Sequence, residues 1–114
     1  MKPFIRVMKA LSDPNRVKVV KMLGIRHLCV CEITAILGLA QPTVSKHLKV
    51  LEEAGLVESF KEGSWVNYRL STQAINPYVA EMLARLEEWL VDDPQIHDAL
   101  LQVATVDRLR ICAA

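Results

Sequence analysis

The chain has 114 residues, 52% of them hydrophobic and 24% charged, which fits one folded domain and excludes a disordered protein. Charged residues interrupt every apolar stretch before it reaches the length of a membrane helix, and Arg6 interrupts the apolar run that a signal peptide needs, so we expect a cytoplasmic protein without membrane contact. The net charge is +1, but the charges are unevenly distributed: residues 1–50 hold nine Lys and Arg and two acidic residues, whereas residues 51–114 hold five Lys and Arg and eleven acidic residues. This asymmetry favours binding of a polyanion by the first half of the chain.

The first half of the chain predicts four helices. An apolar repeat at helical spacing ends at Ser12, after which Asp13 is placed to cap a second helix that stops near Gly24. A short helix over residues 30–37 is closed by Gly38, and a turn over residues 39–41 leads to a helix that starts at Pro42 and continues to Gly55. Two helices joined by a short turn containing glycine are a helix-turn-helix.

The second half predicts a β-hairpin and further helices. Residues 56–60 and 65–70 have strand character, and the loop 61–64 between them supplies a glycine, which together form a wing. A long helix over residues 75–90 is broken at Asp92-Asp93-Pro94, and a last amphipathic segment follows. The fold class is therefore mainly α with a small β-hairpin, a winged helix-turn-helix. Residues 1–92 would form this domain, and residues 93–114 a C-terminal extension packed on it.

The helix that starts at Pro42 has the pattern of a recognition helix. Val44, Leu48 and Leu51 face inward, and no acid precedes Glu52 on the outward face. Base edges need hydrogen-bonding groups and phosphates need cations, while helix N-terminal amides favour a phosphate near Pro42. The predicted DNA-binding residues on this helix are Gln41, Pro42, Thr43, Ser45, Lys46, His47 and Lys49, and those on the wing are Lys61, Ser64 and Arg69.

The cysteines indicate a second kind of site, for metal binding or thiol chemistry. Three cysteines in a reducing compartment favour metal or thiol chemistry, or simple burial, over a disulfide framework. Cys29 and Cys31 lie at the predicted start of the third helix, where the helix N-terminus lowers a thiol pKa and thiolates select soft ions. Residues two apart on a helix point about 200° apart. Joint ligation would therefore unwind the turn at Val30 and move the recognition helix.

Three segments together resemble the ArsR/SmtB family of metal-responsive repressors. They are Asp13-Pro14-Asn15-Arg16, the run from Leu28 to Glu32, and the run from Gln41 to Val57, and the wing end from Glu62 to Leu70 matches as well. The resemblance implies a winged-helix homodimer that binds operator DNA and leaves it when an inducer binds. The Leu28–Glu32 segment is similar to the arsenic and antimony sensors of the family, which implies As(III) or Sb(III) as inducer on the cysteine pair, with no catalytic cofactor.

The sequence departs from those sensors at two points. They often carry a third cysteine where this chain has Thr34, which leaves Cys112 as a candidate third ligand if the C-terminus folds back or crosses from a partner subunit. Cadmium and lead sensors share the Cys-x-Cys pair but add N-terminal cysteines, which this chain lacks, and this favours arsenite. A cadmium or lead sensor, and a redox or persulfide switch on the same cysteines, remain alternatives.

Nothing in the sequence resembles a catalytic set, so we expect no enzyme, and a protein-interaction module without DNA function is a further alternative. Asp92, Asp93, His97 and Asp98 straddle Pro94 and are interpreted as a solvated turn rather than a metal site. Dimerisation is predicted through the apolar stripes of the first and the long helix. These residues are Phe4, Ile5, Met8, Leu11, Val79, Met82, Leu83, Leu86 and Leu90.

Overall fold

The computed structural model describes residues 1–111, which form seven helices and three strands. In chain order these are α1 Lys2–Ala10, α2 Pro14–Leu23, β1 Leu28–Cys29, α3 Val30–Leu37, α4 Gln41–Glu53, β2 Val57–Glu62, β3 Trp65–Leu70, α5 Pro77–Glu88, α6 Pro94–Thr105 and α7 Arg108–Ile111. The predicted mainly α fold with a helix-turn-helix (α3–α4) and a β-hairpin wing (β2–β3) is confirmed. Within the described part of the chain, no helix is both long and apolar enough to span a bilayer.

The helix ends in the first half follow the local chemistry of the sequence. The Asp13 carboxylate accepts hydrogen bonds from the backbone N–H groups of Asn15 (2.8 Å) and Arg16 (3.2 Å), and so caps α2. Gly38 closes α3 with a φ of +67°, a conformation that glycine adopts without steric cost. Both caps match the sequence prediction, because each depends only on neighbouring residues.

The sheet has the strand order β1-β3-β2, with both pairs antiparallel. The hairpin is longer than predicted, since β2 continues to Glu62 and only Gly63 and Ser64 form the turn. Strand β1 was not predicted, because two residues are too few to show an alternating pattern. It pairs Cys29 with Asn67 of the wing, and this pairing attaches the start of α3 to the base of the hairpin.

The core holds the recognition helix in place. Val44, Leu48 and Leu51 of α4 are fully buried and belong to one cluster with residues of α2, α3 and the wing. Burying each of these side chains contributes about 1.5–3 kcal/mol. The inward stripe therefore fixes which face of α4 remains for solvent, as the sequence predicts.

The predicted long helix is shorter at both ends. Asn76 caps α5 by accepting a hydrogen bond from the backbone N–H of Val79 (2.9 Å), and Leu90 turns the chain with a φ of +64° after the helix. The largely buried Lys21 donates hydrogen bonds to the carbonyl oxygens of Leu86 (2.6 Å) and Trp89 (2.8 Å). A cation from α2 thus satisfies the last carbonyls of α5, an arrangement that sequence periodicity does not report.

The C-terminal segment folds back over the first half of the chain. Helix α6 packs on α2, with Ala99 and Val103 in the common core, and α7 packs on α3. This return brings residues more than 70 positions apart in sequence beside the start of α3.

Candidate nucleic-acid interface and cysteine cavity

The outward face of α4 is available to a nucleic acid. Gln41, Thr43 and Ser45 are exposed near the helix N-terminus, where the backbone N–H groups of the first turn point outward. Lys46 and Lys49 are exposed and form no ion pair with any residue in 1–111. Pro42 is exposed beside them in the first turn. Unpaired cations beside hydrogen-bonding side chains suit phosphate and base-edge contacts.

His47 has a different environment from its neighbours on α4. It is half-buried, and its Nδ1 lies 3.2 Å from Nη1 of Arg16 on α2. The same guanidinium donates hydrogen bonds to the carbonyl oxygens of Ala10 (2.8 Å) and Lys9 (3.0 Å) at the end of α1. Arg16 therefore connects α1 to the recognition helix through His47, a contact that the sequence prediction missed.

The wing presents fewer free cations than predicted. Lys61 and Ser64 are exposed at its tip. Arg69 is not at the tip, and its Nε lies 2.8 Å from Glu58 Oε1 while its guanidinium stacks 4.5 Å from the centre of the Phe60 ring. Arg69 thus lies on the wing, as predicted, with its charge compensated on the neighbouring strand, and its DNA contact stays a prediction.

The two cysteines do not share the helical geometry that the sequence suggested. Cys29 is the last residue of β1 and the N-cap of α3, with extended backbone angles (φ −79°, ψ 163°), whereas Cys31 lies in the first turn of the helix. The backbone N–H of Cys29 donates a hydrogen bond to Glu32 Oε1 (2.9 Å). The expected 200° separation on one helix therefore does not apply, because β1 and this carboxylate set the direction of Cys29.

The acidity of Cys29 is also opposite to the prediction. Burial raises the pKa of the Cys29 thiol above its ordinary value, the Glu32 backbone N–H lowers it, and the Glu32 carboxylate raises it further. The side chain is only 1% exposed. The helix N-terminus was expected to lower this pKa, but desolvation of the thiolate is the larger effect.

Both cysteines line one cavity together with α4 and the wing. Cys29, Val30 and Cys31 form one wall of a space of about 230 Å³, and Gln41 at the start of α4 forms another. The remaining wall comes from the wing, with Ser64, Trp65 and Val66. A ligand held by the cysteine sulfurs would thus lie against the first residue of the recognition helix and the tip of the wing.

A third sulfur is not among the described residues at this cavity. The Thr34 hydroxyl, three residues after Cys31, is buried and has no hydrogen-bond partner within residues 1–111. No group of three His, Cys, Asp or Glu side chains suited to a metal ion occurs in the same range. Cys112, the predicted low-priority ligand, lies outside the described residues.

Sequence reasoning missed the side chains that support this cavity. Glu32 is buried, and its Oε2 lies 3.3 Å from Nη2 of Arg26. Its position three residues after an N-cap is typical of a capping box, so this role could have been found with cysteine in place of the usual serine. Trp65 gave no local signal for a cavity, since its role depends on the pairing of β1 with β3.

The predicted dimerisation residues fall into two groups. Val79 is fully buried and Leu86 is 7% exposed within the chain itself, so these two are core residues and were wrongly placed on a free face. Phe4, Ile5 and Leu90 are exposed. The other four are partly buried against the core: Met8, Leu11, Met82 and Leu83.

Comparisons with known proteins agree with this architecture. The family profile described as "Bacterial regulatory protein, arsR family" matches residues 13–59. The chain is 33% identical over 103 residues to the arsenical resistance operon repressor of Escherichia coli K12, covering 88% of this chain and 84% of the relative. It is 34% identical over 84 residues to a cadmium resistance transcriptional regulatory protein CadC homolog of Staphylococcus aureus, covering 73% of this chain and 69% of the relative.

A solved structure extends the similarity to the fold. It is a homodimeric winged helix-turn-helix DNA-binding domain from Mycobacterium bovis, described as a possible ArsR-family transcriptional regulator. The match has a TM-score of 0.65 and 29% identity, and it covers 76% of this chain and 77% of that chain. With the helix-turn-helix, the wing and a relative above 30% identity over most of the sequence, the chain belongs to the ArsR family of bacterial transcriptional regulators.

Proposed function

We propose that the chain is a metalloid-responsive repressor, which binds operator DNA as a homodimer and releases it when As(III) or Sb(III) binds Cys29 and Cys31. The observation that carries this proposal is the cavity of about 230 Å³, whose walls contain both cysteines together with Gln41 and Ser64. A ligand bound there meets the recognition helix and the wing at once. By linkage, operator DNA and the inducer must weaken each other's binding by the same factor.

The environment of Cys29 supports a neutral metalloid over a divalent cation. Its thiol is buried and its pKa is raised, so the protonated form prevails at neutral pH. Arsenous acid, As(OH)₃, is uncharged. When both cysteines are reduced, each thiol that binds arsenic replaces one hydroxide, the S–H proton leaves with that hydroxide as water, and no net charge enters the cavity. Binding Cd²⁺ to the same sulfurs would require thiolates, and ionising the buried Cys29 carries a desolvation cost.

Cys112 is the candidate third ligand. Helix α7 ends at Ile111, the residue before Cys112, and α7 packs on α3, whose first turn contains Cys31. We therefore include Cys112 in the test as the candidate third sulfur.

The dimer is proposed to form through α1 and the start of α5. Phe4 and Tyr78 meet edge to face with ring centroids 5.3 Å apart, and both are about 40% exposed. Ile5 and Ile75 are also exposed. The homodimeric state of the Mycobacterium bovis domain supports this assembly.

A two-fold dimer implies a palindromic operator with recognition helices about 34 Å apart. Replacing Ile5 with Glu should shift the sedimentation coefficient to that of a monomer.

The test is a DNA-release titration with arsenite on the wild-type chain and on Cys29→Ser, Cys31→Ser and Cys112→Ser. A phosphine reductant keeps the thiols reduced without adding a competing sulfur. Each serine is nearly isosteric with cysteine, so inducer-free DNA affinity serves as the internal control. We expect Cys29→Ser and Cys31→Ser to bind DNA normally and to lose release, and Cys112→Ser to need more arsenite.

Two results would contradict the proposal. Full release from both Cys29→Ser and Cys31→Ser would exclude the cysteine pair as the inducer site. Release by cadmium or by an oxidant, with no response to arsenite, would retain the pair but assign a cadmium or a redox signal to it.

A further inference from the structure

The last described residues of the chain hold the wing. We call residues 103–111 the C-terminal strap. Within it, Arg108 Nη1 lies 2.7 Å from Glu62 Oε1 and 3.4 Å from Asn67 Oδ1. Its guanidinium stacks 4.8 Å from the centre of the Trp65 ring. Arg108 therefore contacts the wing in three places, including the residue that precedes the hairpin turn.

Two of these wing residues connect Arg108 to the cysteine cavity. Trp65 forms part of the cavity wall, and Asn67 pairs with Cys29 across the β1–β3 ladder. Asn67 is fully buried and donates a hydrogen bond from Nδ2 to Glu62 Oε1 (3.1 Å). A ligand that displaces Trp65 or Cys29 would disturb the groups on which Arg108 rests.

The other end of the strap is joined to the cysteine turn. Arg26 Nη2 donates hydrogen bonds to the carbonyl oxygens of Val103 (3.1 Å) and Val106 (3.4 Å). The same nitrogen lies 3.3 Å from Glu32 Oε2, and the other oxygen of that carboxylate accepts a hydrogen bond from the backbone N–H of Cys29. The strap is thus attached by Arg26 to the first turn of α3, which contains the cysteines, and by Arg108 to the wing.

We propose that the C-terminal strap transmits occupancy of the cysteine cavity to the wing, with Arg108 as a positioning residue for DNA binding. In the inducer-free protein Arg108 neutralises Glu62 near the wing tip and keeps Trp65 in place. Without Arg108, the carboxylate of Glu62 faces the phosphates of bound DNA uncompensated, and like charges repel. The regulatory half of this inference rests on the proposed function, whereas the role of Arg108 in DNA affinity does not.

The first experiment measures inducer-free affinity for a duplex selected from random sequence by the wild-type chain. We expect Arg108→Ala to weaken binding about tenfold, which corresponds to about 1.4 kcal/mol. Adding Glu62→Gln should restore most of the affinity, because the pair is then removed without a change in net charge. Arg110→Ala is the matched control, since Arg110 is exposed on α7 and forms no ion pair within the described range, and it should leave affinity within about twofold.

The second readout distinguishes positioning from direct phosphate contact. In a Trp89→Phe background the remaining indole, Trp65, reports its contact with Arg108 by fluorescence. Arg108→Ala should change the emission of Trp65, and saturating arsenite should change it in the same direction in the wild-type chain. A phosphate contact by Arg108 would instead keep the Glu62→Gln double variant weak, and this result, or an unchanged Trp65 emission in Arg108→Ala, would overturn the proposal.

The third readout tests transmission. We expect the Arg108→Ala, Glu62→Gln double variant to bind arsenite as tightly as the wild-type chain but to show a smaller loss of DNA affinity on binding it, by at least about fivefold. Equal release from both proteins would refute transmission through the strap while leaving the proposed function intact. If the wild-type chain neither binds arsenite nor releases DNA, the proposed function fails, and the inducer-free comparison still decides the positioning role.

Discussion

The recognition helix and the wing carry the same number of cations but present them differently. Lys46 and Lys49 on α4 are exposed and have no acidic partner within residues 1–111. On the wing, Arg69 is paired with Glu58, and Arg108 reaches across from α7 to pair with Glu62, which leaves Lys61 as an unpaired wing cation in that range.

This difference indicates that α4 provides DNA affinity, whereas the wing regulates that affinity in response to the inducer. Free cations attract the DNA backbone regardless of sequence, so α4 should supply most of the salt-dependent affinity. The wing is held by ion pairs that a small movement can break, and three of its residues form part of the cysteine cavity wall with Cys29 and Cys31. We therefore expect changes on α4 to alter how tightly DNA binds, and changes around the cavity to alter how binding responds to the inducer.

The largest expected effect comes from removing the free cations of α4. Lys46→Ala with Lys49→Ala would remove four predicted phosphate contacts from the proposed dimer, and we expect an affinity loss of about a hundredfold with a decrease of about 3.6 in the slope of log K against log salt. Arg69→Ala is the matched control on the wing, because its charge is already compensated by Glu58. A loss for Arg69→Ala as large as that for the lysine pair would contradict the comparison.

The next effect is a pH dependence that identifies the inducer chemistry. The raised pKa of Cys29 keeps its thiol protonated from about pH 6 to about pH 8. Cd²⁺ must displace each thiol proton, so its affinity should rise about tenfold per pH unit for each proton released. Arsenite releases water instead, and its affinity should stay nearly constant.

Isothermal titration in buffers of different ionisation enthalpy would measure the protons released. The control is Cys29→Ser, which should remove one proton from the cadmium count. Proton release with arsenite equal to that with cadmium would contradict the buried-thiol interpretation. The same raised pKa means that the neutral thiol favours the folded state below the unfolded pKa, and this contribution is lost as the pH rises through the folded pKa.

A smaller gain is expected from Thr34→Cys. The hydroxyl of Thr34 is buried without a hydrogen-bond partner among residues 1–111, and it lies one helical turn after Cys31 on the same face. A thiol there should supply the third sulfur and tighten arsenite binding by about tenfold, or about 1.4 kcal/mol. Thr34→Ser is the control, because it keeps the hydroxyl and adds no sulfur. Unchanged arsenite affinity in Thr34→Cys would place the ligands elsewhere.

The smallest effect concerns the scaffold rather than either DNA-facing surface. Asp13→Ala removes the cap of α2 and should lower the free energy of unfolding by about 1 kcal/mol, measured by urea denaturation. Asp13→Asn keeps an acceptor and should lose less. Burial by itself raises the pKa of Asp13, but the N–H groups of Arg16 and Asn15 and the charges of His47 and Arg16 lower it overall. Its stabilisation is therefore present above the unfolded pKa and is lost as the pH falls through the folded one.

Local patterns in the sequence determined the elements that need only neighbouring residues. The capping of α2 by Asp13, the closure of α3 by Gly38 and the outward face of α4 follow from capping chemistry and helical periodicity, and all three were predicted. The Cys-x-Cys pair was also visible in the sequence as a candidate ligand pair. These features belong to contiguous segments, so their physics is local.

Only the tertiary structure decided what surrounds the cysteines. Strand β1 is two residues long and exists because β3 pairs with it. The sequence predicted a helical Cys29 with a lowered pKa, whereas in the structure Cys29 lies in this strand, is buried and has a raised pKa. Arg108 meets Glu62 and Trp65 because α6 packs on α2 and reverses the chain. Desolvation and long-range pairing depend on which segments of the chain pack together. The periodicity of a single segment does not predict those contacts.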